Sequence, residues 1–205
     1  RKIAKSFWGK AWCENLESYS IYEHRLPRGR SYLRKGQVYD LEIGRGHLFG
    51  YVTGNEIYEV EITISAAETD KWEALQGVLG GEVTNAVALL SGELPATVMA
   101  AVSNRESGLF PNPSQIAFQC TCPDHADLCK HAAAVMYAAG IQFDGRPELL
   151  FQLRGVDHRD LGRTAESGLD IEPSDTSARV IAPDELAELF GIDITDPDAA
   201  FEEKR

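Results

Sequence analysis

The chain has 205 residues, 43% hydrophobic and 25% charged, an ordinary globular composition with room for one good core or a core plus a small module. No run approaches the roughly 18 apolar residues of a membrane helix and no secretory-type opening is recognised, so a soluble, cytoplasmic protein without a membrane partner is expected. The net charge is −12 but unevenly spread: residues 1–35 hold nine Lys/Arg against three Asp/Glu, and residues 166–205 hold three against twelve.

A basic start and an acidic finish either give the two ends separate roles or are two solvated surfaces. The start at Arg1 rather than a methionine leaves room for a segment upstream. In chain order, residues 3–19 fit an amphipathic helix, with Ile3, Phe7, Trp8, Ala11, Trp12 and Leu16 at helical spacing as a core-facing stripe. Cys13 falls inside it and reads as a packed thiol. Residues 26–35 read as a basic, turn-rich segment. There Arg25, Arg28, Arg30, Arg34 and Lys35 surround Tyr32, which suits either phosphate contacts with a stacking face or a solvated loop.

Three strand-like runs come next, Val38–Ile43, His47–Thr53 and Ile57–Ile64, joined through Gly44-Arg45-Gly46 and Gly54-Asn55. They predict an antiparallel meander, with Ser31–Lys35 as a candidate fourth strand. Ser65 is placed to cap a helix over Ala66–Leu79 that stops at Gly80-Gly81. A second helix fits Val83–Leu90, and a third Pro95–Val102. Pro111 and Pro113 mark a link into the cysteine-bearing segment.

Residues 115–120 read as a strand running into Cys120-Thr121-Cys122, and six residues later comes Cys129-Lys130-His131. Side chains two apart on an extended chain share a face, so Cys120 and Cys122 can converge on one ion. Cys129 and His131 would come from the first turn of an Ala-rich helix ending at Gly140, facing back at the pair. Three thiols and an imidazole are the donor set of a closed, tetrahedral, structural Zn²⁺ site. They leave Cys13 alone, so no disulfide framework is possible. Pro147 opens a helix through Leu153, with Gly155 as its stop. Residues 156–182 read as a linker. Pro183–Gly191 reads as a short helix whose Leu186, Leu189 and Phe190 either fold back onto the chain or dock on a partner.

The order Cys-x-Cys-x6-Cys-x-His resembles the signature of the SWIM zinc finger, found beside bacterial Swi/Snf-type ATPases, in Mutator-type transposases and in some eukaryotic kinase regulators. The prokaryotic SWIM proteins are similar in further stretches: Cys120-Thr-Cys-Pro-Asp, Cys129-Lys-His-Ala-Ala-Ala-Val-Met-Tyr, Phe7-Trp-Gly-Lys-Ala-Trp, Arg28-Gly-Arg-Ser-Tyr and Pro147-Glu-Leu-Leu-Phe-Gln-Leu-Arg-Gly-Val-Asp. The resemblance covers roughly residues 1–160. One departure is His125, where such proteins often carry an aromatic residue. The resemblance implies a Swi/Snf-type helicase-like ATPase as partner.

These readings converge on an α+β protein. Residues 1–110 form an N-terminal helix, a small antiparallel sheet and a helical segment. Residues 111–160 carry the strand-pair-plus-helix zinc finger with its following helix, and residues 161–205 an acidic linker and short helix. No nucleophile–base motif or phosphate-cradling loop is recognised, so the expected function is a non-enzymatic zinc-binding adaptor. Its partners would be protein, single-stranded or duplex nucleic acid without base specificity, or both. A zinc-dependent hydrolase is the alternative, and it would need an open coordination position.

Overall fold

The computed structural model describes residues 3–82, 86–91, 94–124 and 126–160, which fall within a compact unit spanning residues 1–169. Residues 161–182 of the expected linker and the helix with Leu186, Leu189 and Phe190 lie outside the described residues, as do His125 and residues 83–85.

The architecture is α+β. Strands β1 (Val38–Gly44), β2 (His47–Thr53), β3 (Ile57–Ile64) and β4 (Ile116–Cys120) form one antiparallel sheet in the order β1-β2-β3-β4. The meander forms as expected. Its fourth strand is β4 rather than Ser31–Lys35. Strand β3 alternates between exposed and buried positions along its whole length, turning Tyr58, Val60, Ile62 and Ile64 into the core.

Residues 26–35 are not a turn-rich segment but helix α2 (Leu26–Arg34). Pro27 fits a helix start, where its missing N–H costs no hydrogen bond. Gly29 marks a contact rather than a turn: a Cβ there would lie 2.5 Å from Cβ of Ala133. Ala133 belongs to α6 (Lys130–Gly145), the helix around which the rest packs. Gly140 does not end α6. It lets helix α1 (Phe7–Glu17) approach, since a Cβ at Gly140 would sit 3.0 Å from Cys13 Sγ and Trp12 Cδ1. The same contact explains Gly9, whose added Cβ would meet the Gly140 carbonyl at 2.4 Å. Both glycines are there for close packing, so the sequence cue for a stop was misleading.

Polar groups lock the crossing. Asp144, near the end of α6, accepts from the Lys5 and Ser6 N–H groups and the Ser6 hydroxyl at 2.7–2.9 Å. Trp12 Nε1 donates to the Met136 carbonyl at 2.8 Å. The remaining helices are α3 (Thr69–Glu82), α4 (Ala86–Ser91), α5 (Ala96–Val102) and α7 (Glu148–Leu153), and Trp8 of α1 lies edge-on to Phe151 of α7 at 5.3 Å.

Helix α3 starts later than Ser65 suggested, because residues 65–67 have other partners. The Ser65 N–H donates to the Gln115 carbonyl, the Ala67 N–H donates to that of Arg154, and the Ser65 carbonyl accepts from the Arg154 guanidinium. Arg154 is buried, which pushes its pKa down to about 10, with Glu68 opposing the shift. Helix α7 ends at Gly155, with φ 71°, as expected for a glycine stop.

Candidate metal centre

The four sequence-predicted donors meet where β4 ends and α6 begins. Val60 pairs with Cys120 on the buried side of the sheet, so the first thiol leaves the strand pointing toward the core. Cys122, in the bend that follows β4, brings its thiol to the same cluster. Cys129 is the N-cap of α6: its backbone is extended and its Sγ accepts the Ala132 N–H at 3.4 Å. His131 follows in the first turn.

The ligand atoms of Cys120, Cys122, Cys129 and His131 all lie within 4.8 Å of one another. Cys120 Sγ is 3.8 Å from His131 Nδ1. Two donors at Zn–S and Zn–N distances under a tetrahedral angle would stand about 3.6 Å apart. The donor set is soft, its spacing is near that of a closed tetrahedron, and the cluster fits one zinc ion. Among the described residues no other group of three or more His, Cys, Asp or Glu is placed to hold a metal.

The electrostatics favour a thiolate at Cys129, whose pKa is pulled down to about 4. The hydrogen bond from Cys120 contributes most, and His131, the Ala132 N–H and Cys122 assist against burial. A helix N-terminus supplies the same bias, because its N–H groups and macrodipole favour a negative sulfur. Cys120 is pushed up, first by that hydrogen bond to Cys129 and then by burial, and Cys122 is pushed up by burial.

Two tyrosines hold the imidazole: Tyr58, which the sequence did not single out, and Tyr32, which the sequence offered as a stacking face for nucleic acid. Tyr58 stacks on His131 with ring centroids 4.4 Å apart, and Tyr32 meets it edge-on at 5.2 Å. Nε2, the nitrogen turned away from the thiols, is buried without a hydrogen-bond partner among the described residues. A Cβ on Gly54 would come within 3.2 Å of it and 2.8 Å of the Tyr58 ring, so the hairpin glycine also makes room for the histidine. Tyr58 is on the inward face of β3, and nothing in the sequence paired it with His131.

The basic segment divides in two. Arg25 pairs with Asp124 in the finger loop at 3.0 Å, and Arg30 pairs with Glu17 at 3.0 Å while lying over the Tyr137 ring. Tyr32 is half-buried against His131, with the Lys130 ammonium over its outer side at 5.6 Å. Arg28, Arg34 and Lys35 are exposed. Cys13 is buried between α1 and α6, and burial, followed by Glu17 and other nearby carboxylates, pushes its thiol up to about 12. No helix among the described residues is long and apolar enough to cross a membrane.

Residues 119–140 match the family model of the SWIM zinc finger, so the chain carries a SWIM-type, zinc-binding structural module. The uncharacterized protein Rv2102 of Mycobacterium tuberculosis is 34% identical over 162 residues, which cover 78% of this chain and 58% of that protein. The chain therefore matches less than two thirds of the length of this relative. No solved structure matches.

Proposed function

We propose that this chain is a non-enzymatic adaptor of the reducing cytoplasm, in which Cys120, Cys122, Cys129 and His131 hold one structural Zn²⁺ and the folded surface recruits a partner. The observation that carries this reading is the convergence of four protein donors on one point at the strand–helix junction. Four protein donors fill a tetrahedral sphere and leave no position for a substrate or an activated water, which speaks against the hydrolase alternative.

The resemblance to prokaryotic SWIM proteins supports a Swi/Snf-type helicase-like ATPase as partner. Nucleic acid is the second partner class. Here Arg28, Arg34 and Lys35 are the cations of the basic segment with exposed side chains. Arg25, Arg30 and Tyr32 would act by holding α2 in place. The test is a pull-down from the native host in three arms: untreated, nuclease-treated and zinc-chelated. A protein adaptor retains its partner after nuclease and loses it on chelation. Loss of every partner with nuclease alone leaves nucleic acid as the partner class and refutes the protein partner, and retention in all arms including the chelated one overturns the reading. A cobalt-substituted sample whose tetrahedral spectrum shifts on adding small anions would instead reveal an open coordination position and restore the hydrolase.

A further inference from the structure

The zinc site and the apolar core both lie on one side of the sheet. The opposite face has a composition of its own. On β2 the outward positions are His47, Phe49 and Tyr51, and Tyr39 on β1 pairs directly with Tyr51. The four rings form a continuous row. Tyr39 stacks on Tyr51 at 5.8 Å, Phe49 meets Tyr51 edge-on at 5.2 Å, and His47 lies parallel to Phe49 at 6.4 Å.

Carboxylates flank this row on both sides. Glu42 lies opposite Phe49 on β1, and Glu61 lies opposite it on β3; Glu59 faces Tyr51. Residues 39 and 42 are an odd number apart and would point to opposite faces of a regular strand. The β-bulge between them, with Asp40 at φ 50°, brings both to the outer face. All outward residues of β3 are exposed, and Tyr39, His47, Phe49 and Tyr51 are half-buried. None of the four strands contains Lys or Arg, and His47 Nε2 lies 3.3 Å from Glu61 Oε1.

An aromatic row bordered by carboxylates that face no Lys or Arg of the sheet selects for a cation with a flat face. A guanidinium can lie on a Tyr or Phe ring and reach a neighbouring carboxylate through its N–H fork. Bases also stack on aromatic rows, but the phosphates that come with them would face Glu42, Glu59 and Glu61. The chain's own end is a poor occupant, because residues 166–205 hold twelve acidic against three basic residues. We propose that the outer face of the sheet docks an arginine-rich segment of a protein partner. The proposal rests on the adaptor reading and assigns that partner a surface and a chemistry. Successive outward side chains on a strand stand about 7 Å apart. An extended peptide with Arg at alternate positions therefore matches the spacing of Glu59 and Glu61.

The test uses the zinc-loaded full chain and fluorescence anisotropy at low salt. The probe is a labelled twelve-residue peptide alternating Arg and Ser, with a Glu-for-Arg peptide and a single-stranded oligonucleotide alongside. Glu59→Lys/Glu61→Lys should weaken the Arg peptide about tenfold or more, and Phe49→Thr/Tyr51→Thr about fivefold or more. Glu73→Lys/Glu106→Lys, with the same charge change at exposed positions off the sheet, should change binding less than about twofold.

Equal weakening by the remote pair overturns the proposal, since attraction would then follow net charge alone. So does absence of Arg-peptide binding, or oligonucleotide binding that the sheet variants abolish. Zinc content and thermal midpoint are measured for each variant. If the aromatic pair fails to fold, the Glu59/Glu61 pair, at exposed positions, decides. A native partner that both parent and Glu59→Lys/Glu61→Lys capture equally would refute this docking face while leaving the adaptor reading standing.

Discussion

Removing the metal should cost this protein much of its thermal margin without erasing its fold. The four donors sit at the N-terminus of α6, and His131, Cys122 and Cys129 are buried. A metal bound only by the native state at about 1,000 times its dissociation constant stabilises by roughly 4 kcal/mol. In a domain of 150–250 residues each kcal/mol moves the midpoint by about 2–4 °C, so chelation should lower it by roughly 8–16 °C. Unfolding should not be complete, unlike that of an isolated zinc-finger peptide, because α1, α2 and the sheet grip α6 through Trp12, Gly29, Ala133 and Gly140 independently of the metal. The assay is circular dichroism melting with and without a chelator, followed by back-titration with Zn²⁺. Cys129→Ser and His131→Ala should reproduce the chelated midpoint and no longer respond to zinc. A shift below about 2 °C on chelation, with stoichiometric zinc shown to be bound beforehand, would refute the reasoning.

Zinc binding at pH 7 should release about two protons. Cys129, drawn down to about 4, is already a thiolate, whereas Cys120 and Cys122, both pushed up, must still lose theirs. Metal affinity then rises with pH through neutrality; titration calorimetry in buffers of different ionisation enthalpy checks the count, and release of none or of three contradicts it. Gly29→Val should destabilise by roughly 1–3 kcal/mol through overlap with Ala133, while Arg28→Ala on the exposed side of α2 stays within about 0.5 kcal/mol; chemical denaturation compares them. If Arg28, Arg34 and Lys35 contact phosphates, single-strand binding should fall with salt at a log–log slope near −2, at about −0.7 per phosphate, and Arg28→Ala/Lys35→Ala should flatten it; an unchanged slope leaves these side chains as solvated surface.

The elements legible in the sequence were those set by local chemistry. The strand-like run of β3, the glycine-jointed hairpins and the donor spacing each have a cause within a few residues of themselves. What failed were positions whose residue type answers to a distant partner. Gly29 and Gly140 read as a turn and a stop because glycine favours both, yet each is where one helix lies against another. Arg25 and Arg30 read as phosphate ligands because composition cannot show that Asp124 and Glu17 wait across the fold. Ser65 read as a cap because the buried Arg154 that binds its carbonyl lies 89 residues away. The docking face escaped notice for the same reason. Its aromatic row exists only once β1 and β2 are in register and the bulge at Asp40 has re-aimed Glu42.

The two faces of the sheet are not independent. Thr121 stands between Cys120 and Cys122, and it is hydrogen-bonded twice to Glu59. Its N–H donates to the Glu59 carbonyl at 3.1 Å, and the Glu59 N–H donates to the Thr121 hydroxyl at 3.0 Å. Glu59 is also one of the carboxylates proposed to receive an arginine. With zinc bound, the two cysteines would hold the Cys-Thr-Cys segment to the metal, while its middle residue holds it to β3. Zinc would then fix where Thr121 stands, and Thr121 the backbone that aims Glu59 outward. Loss of the metal frees the cysteines, and the two hydrogen bonds to Glu59 then lose the anchor that orients them. Glu61, one row further along β3 and paired with Gln119 inside β4, keeps its ladder neighbours. On this geometry the finger supports one end of the docking face more than the other, and chelation should weaken an arginine at Glu59 before one at Glu61.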